Sequence, residues 1–201
     1  MLRLNASKTT KEPHVSKSNL ESEVSDLWPE LEWIGDRGLR EKTLRTWCAA
    51  FERSPLSPAD LHEIPYTLLI PNCKVSFIAH KRSVVHISIE SAKAMLKFYG
   101  DQLPIDMDVL ASGAILIDVG KLLEYERVGG RLRQSAKGQL LRHPFSGAGL
   151  CQEMGLPDEV THMVATHAKE GSLGKRTAEG WIVHHADFMS FEAMKDRLIV
   201  I

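Results

Sequence analysis

Apolar residues recur at helical spacing in several separate stretches of the chain. Within 36–54, Leu39, Leu44, Trp47 and Phe51 fall near one face, with acid-base pairs opposite. Ser57, Pro58 and Asp60 have the order of an N-cap and first turn, for a short helix that stops before Pro65. Prolines bracket the next run, Pro65 to Cys73, which reads as an extended connector. From Lys81 to Tyr99, the residues Val85, Ile89, Ala92 and Leu96 form a helical stripe, and Gly100 supplies the stop. Asp106 or Asp108 then caps a helix expected to run through Leu123. Further helices are predicted over about 138–154, 157–169 and 177–195, the last capped by Thr177. No stretch alternates as a strand should, and Gly129-Gly130 reads as a loop. The prediction is an all-α bundle of about six or seven helices.

The first 25 residues are rich in Ser, Lys, Thr, Asn and Glu without apolar periodicity, so they read as a flexible tail. Residues 26–74 then form a helical extension packed on a core domain at 75–201. At 201 residues, 43% hydrophobic and 25% charged, the chain has the composition of a globular domain, which excludes disordered and collagen-like classes. The net charge of −1 offers no global field to gather nucleic acid or an anionic membrane, so an anion must be held by local basic residues. No apolar run is long enough to cross a bilayer and the first residues lack a secretory pattern; a cytoplasmic protein is expected. Cys48, Cys73 and Cys151 lie far apart without a C-x-x-C pair and read as free thiols.

Nine histidines are the compositional excess, and several polar residues sit where apolar ones belong. Asp118 follows Ile115 by three and precedes Leu122 by four, so its carboxylate points with the apolar set. His86 lies beside the Val85/Ile89 stripe, His143 follows Leu140 by three, and His167 follows Val164 by three. Asp187 follows Val183 by four. Unpaired burial of such groups costs on the order of 1–3 kcal/mol or more each. A helical bundle whose inward faces converge on imidazoles and carboxylates is how such folds build metal sites.

The order of these residues resembles the HD-domain superfamily of metal-dependent phosphohydrolases. That pattern has a His on one helix, a His-Asp doublet on the next, often as L-L-H-D-I/V-G-K, and an Asp on the last, with two further His in two-metal members. RSVVHISIESAKAML is similar to the first-His helix and assigns His86. AILIDVGKLLEYE is similar to the doublet helix and assigns Asp118 and Lys121, RHPFSGAGL assigns His143, THAKEGS assigns His167, and VHHADFMSFE assigns Asp187. The resemblance covers about residues 75–195. Where the family has the His of its doublet, this chain has Ile117, with His184 the neighbour best spaced to substitute.

The resemblance implies hydrolysis of a phosphate ester of a small metabolite or nucleotide by metal-activated water. One or two divalent ions (Fe, Mn, Mg, Ni or Zn) would be held by His86, Asp118, His143, His167 and Asp187, with Asp118 and Lys121 as catalytic groups. Two other readings stay open: a di-iron oxygenase of the same superfamily, and a degenerate, non-catalytic member serving as a ligand-binding or interaction module, motivated by Ile117. From Arg127 to Gln152 there is no acidic residue, while Arg127, Arg131, Arg133, Lys137 and Arg142 are basic. This stretch reads as an anion trap with a movable Gly129-Gly130 lid. The expected substrate-binding residues are Arg82, Arg131, Arg133, Arg142 and Glu170, the last as proton carrier or partner to an imidazole. The expected partner is a small anionic substrate. Nucleic acid is disfavoured because no helix-turn-helix signature is present, and a homo-oligomer is compatible with the sequence.

Overall fold

The computed structural model describes residues 17–196. The chain is mostly helical: α1 (Lys17–Leu27), α2 (Arg37–Glu52), α3 (Phe77–Tyr99), α4 (Met107–Leu116) and the single turn α5 (Lys121–Glu124) precede a small antiparallel hairpin. That hairpin pairs β1 (Tyr125–Val128) with β2 (Arg131–Gln134). It is followed by α6 (Ala136–Leu140), α7 (His143–Glu153), α8 (Asp158–Thr166) and α9 (Ala178–Lys195). Helix α4 is central: every residue from Leu110 to Leu116 is buried, and it packs against α2, α3, α8 and α9. A helix apolar on all sides has this fate, because each of its faces must leave water.

Asp106 caps α4, accepting from the backbone N–H groups of Asp108 and Val109. Asp108 does other work. Its carboxylate accepts the Gly35 and Asp36 N–H groups at 2.8 Å each, tying the start of α2 to the start of α4. The Thr43 and Ser112 hydroxyls meet at 2.7 Å between the same two helices. Trp47 of α2 stacks at a tilt on Trp28 and edge-on against Phe77 of α3, so residues 26–74 share one apolar core with the rest.

Five expectations need correction. Residues 17–25, assigned to a flexible tail, form most of α1, where Val24 is fully buried; the remainder of that tail, 1–16, lies outside the described residues. Helix α3 begins at Phe77, a turn earlier than Lys81, because Ser76 caps it by accepting from the Ala79 N–H. The helix expected through Leu123 ends at Leu116 and continues as tight i to i+3 turns through Gly120. A Cβ on Gly120 would lie 2.2 Å from the His143 carbonyl oxygen, so the bare glycine lets the start of α7 press against this bend. The presumed Gly129-Gly130 lid is a hairpin turn, both glycines having positive φ (58° and 75°) as a two-residue type I′ connection requires. The stretch 138–154 also divides, with Pro144 in the first turn of α7. Among the described residues, no helix is long and apolar enough to cross a membrane.

Candidate metal centre

Asp118 sits in the bend between α4 and α5 and is almost wholly buried. One of its oxygens, Oδ1, faces His143 Nε2 at 3.3 Å and His167 Nε2 at 3.7 Å, and the two imidazole nitrogens are 3.3 Å apart. The outer nitrogens are already committed. His143 Nδ1 donates to Glu124 Oε2 at 2.9 Å, and His167 Nδ1 donates to the Val164 carbonyl at 2.7 Å. Because both Nδ1 partners are pure acceptors, each neutral ring carries its proton there and presents an Nε2 lone pair inward. Burial pushes the His143 pKa down, favouring the neutral ring.

Three acceptors thus converge on one buried point, an arrangement that repels itself unless a cation sits between them. The donor–donor separations of 3.3, 3.3 and 3.7 Å suit a single ion, since ligands at about 2.1 Å around a tetrahedral centre are about 3.4 Å apart. Two imidazoles and a carboxylate oxygen suit a divalent ion such as Zn, Fe, Mn or Ni. Glu124 completes the support: Oε2 also accepts the His143 backbone N–H at 2.8 Å, while Oε1 takes Arg142 and Gln134. Burial opposes ionisation of Glu124, but the His143 hydrogen bonds and Arg142 outweigh it and lower its pKa.

A second group, His80, Asp118 and Asp187, shares the same aspartate. His80 Nε2 and Asp187 Oδ1 are 2.9 Å apart, and the Tyr66 ring stacks on His80 at 4.0 Å. Beside the other Asp118 oxygen, Oδ2, lie two ammonium groups, Lys121 at 3.2 Å and the fully buried Lys81 at 3.9 Å. Burial would raise the Asp118 pKa; Lys121 and then Lys81 outweigh it and hold the carboxyl well below its usual range. Burial lowers Lys81 to about 8 against the pull of Asp118. It opposes the charge on Lys121 as well, but there Asp118 wins and the pKa rises.

Both groups open on a cavity of about 590 Å³ whose wall includes Tyr66, Lys121, Arg142, Glu170, Phe188 and Phe191. Of the residues expected at the site, Asp118, His143, His167 and Asp187 are brought together, and Lys121, Arg142 and Glu170 line the cavity. His86 is not. It is half-exposed and meets Glu30 at 2.9 Å, and the same carboxylate oxygen takes Arg82 at 2.7 Å, so both fall on another face of α3. His80, one residue before the helix expected from Lys81, meets Asp187 instead, because the Ser76 cap draws it into the helix. That cap was the available signal.

The anion trap is largely neutralised. Arg127 pairs with Asp60, Arg133 with Glu126, and Arg142 with Glu124 and Glu170. Exposed Arg131 makes no ion pair among the described residues and does not line the cavity. Glu170 therefore positions Arg142 rather than an imidazole. His184 turns to the back of the centre, donating from Nδ1 to the His167 carbonyl at 2.5 Å, so it does not supply the donor that Ile117 lacks. Lys169 and Lys195, cations that sequence reasoning passed over, also line the cavity.

Compared with known proteins, this chain matches no family model, no curated protein and no solved structure.

Proposed function

We propose that this protein is a metal-dependent hydrolase of the HD type, cleaving a phosphate ester of a small metabolite or nucleotide. The observation that carries the reading is the convergence of the His143 and His167 Nε2 lone pairs on Asp118 Oδ1, with both outer nitrogens already donating. Asp118, His143 and His167 would hold the ion. When bound, it supplies Lewis acidity that acidifies water and draws charge from a phosphoryl oxygen. Lys121, at the cavity wall, and Arg142, held between Glu124 and Glu170, are placed to bind the phosphoryl oxygens. The His80–Asp187 pair faces the same space; His80, engaged by Asp187 at Nε2 and by Ser190 Oγ at Nδ1 (3.2 Å), would orient Asp187 as the base. Tyr66, Phe188 and Phe191 exclude water from one side and suit an apolar or planar portion of the substrate.

Metal analysis of protein purified without chelator, with phosphatase assays on a panel of phosphate esters, tests the reading. Bound Mn, Ni, Zn or Fe, activity lost on chelation and restored by metal, and loss of both in Asp118→Asn are expected. Absence of metal binding overturns it. Metal without turnover points to the ligand-binding module, and a mixed-valence iron pair that consumes dioxygen points to the oxygenase.

A further inference from the structure

The two halves of Asp118 face different partners. Oδ1 looks toward His143 and His167, whereas Oδ2 looks toward two ammonium groups. Lys121 is held there by its own geometry, lying 3.2 Å from Oδ2 while donating to the Tyr66 carbonyl at 3.0 Å. Lys81 is fixed from the other side, donating to the Ala114 carbonyl at 3.2 Å from a position without solvent exposure. The neighbouring residue Ile117 is fully buried and offers no donor atom. His80 and Asp187, the other members of the second group, are already engaged with each other at 2.9 Å.

A divalent ion on Oδ2 would meet two carboxylates, but Asp187 is already hydrogen-bonded to His80, the one imidazole of that group, and two ammonium groups at close range offset both carboxylate charges. At Oδ1 an ion would meet two imidazole Nε2 atoms whose rings are already anchored through Nδ1. We propose that the centre holds a single divalent ion, on Asp118 Oδ1, His143 and His167, and that the Lys121 ammonium acts at Asp118 Oδ2 as a fixed cation in place of a second metal. Lys121 thereby positions Asp118 for the ion while its ammonium remains at the cavity wall. This inference rests on the reading of the first group as a metal centre.

Metal content and the EPR spectrum of the protein titrated with Mn²⁺ test it. One tightly bound equivalent with the six-line signal of an isolated ion is expected. That equivalent should be lost in His143→Ala and His167→Ala and kept in His80→Ala and Asp187→Asn. The Ile117→His/Lys121→Met double variant, which adds a donor and removes the ammonium, should take up a second equivalent, whereas Ile117→His alone should not. No bound metal in the native protein overturns the metal reading itself. Two equivalents with an exchange-coupled signal overturn only the single-ion inference, as does one ion that depends on His80 and Asp187 but not on His143 and His167. Should the double variant lose its helical circular dichroism, the native count and the four single variants still decide the matter.

Discussion

Glu124 accepts both the backbone N–H and the ring Nδ1–H of His143 through one oxygen, at 2.8 and 2.9 Å. The carboxylate thus sets the tautomer and the orientation of a ring whose other nitrogen faces Asp118. Removing such a partner typically lowers metal affinity by about 10–100-fold without removing a ligand. Glu124→Gln is expected to weaken metal binding within that range, read by competition with a chromophoric chelator. Unchanged affinity would separate Glu124 from the centre.

His80 and His86 lie on the same helix and invite a direct comparison. His80 lines the cavity and pairs with Asp187, whereas His86 is paired with Glu30 outside it. His80→Ala should reduce turnover by about 100-fold or more, the range for disabling a base in proton transfer, because it frees the Asp187 carboxylate that His80 orients. His86→Ala should leave turnover within about twofold and lower stability by about 1 kcal/mol through one lost hydrogen bond to a buried carboxylate. Steady-state kinetics and urea unfolding read the two effects, and the reverse pattern would restore the assignment of His86.

Gly120→Ala tests the bend that carries Asp118. Its Cβ would fall 2.2 Å from the His143 carbonyl and 2.8 Å from the Gly147 nitrogen, both backbone atoms that cannot rotate away. The start of α7 must shift, at a cost of about 3 kcal/mol by the scale of overpacked cores. A fall in Tm accompanied by weaker metal binding is expected; a variant as stable as the parent would show that the two segments are not in contact.

The cysteines differ in reactivity. Burial pushes the Cys48 thiol up to about 11 and the Cys151 thiol up to about 12, while Cys73 is partly exposed. At pH 8 Cys48 is then ionised in roughly one molecule in a thousand and Cys151 in fewer, and the thiolate is the reacting species. Native protein should release about one equivalent of thionitrobenzoate from Ellman's reagent promptly, and three after denaturation. Rapid release of three from native protein would contradict this burial.

Much of the architecture was legible because periodicity and caps are local. The stripes on α2 and α3, the Asp106 and Thr177 caps, and the inward spacing of Asp118, His143, His167 and Asp187 are all properties of short segments. Most of what failed, the His80 assignment apart, depended on contacts between distant segments. The end of α4 is set by Gly120 meeting α7, and the fate of the basic stretch by Asp60, Glu124, Glu126 and Glu170. His80 was lost to a one-turn error in the start of α3, since six residues along a helix carry a side chain to a different face.

By itself the sequence determined the helical class and the identity of most inward polar groups. Only the tertiary structure decided that Lys81 and Lys121 gather at one oxygen of Asp118 and that the arginines from β1 onward are mostly paired. The physical reason is range. Hydrophobic periodicity acts within a few turns, whereas the balance of charge around a buried carboxylate is a sum over residues that only folding brings together.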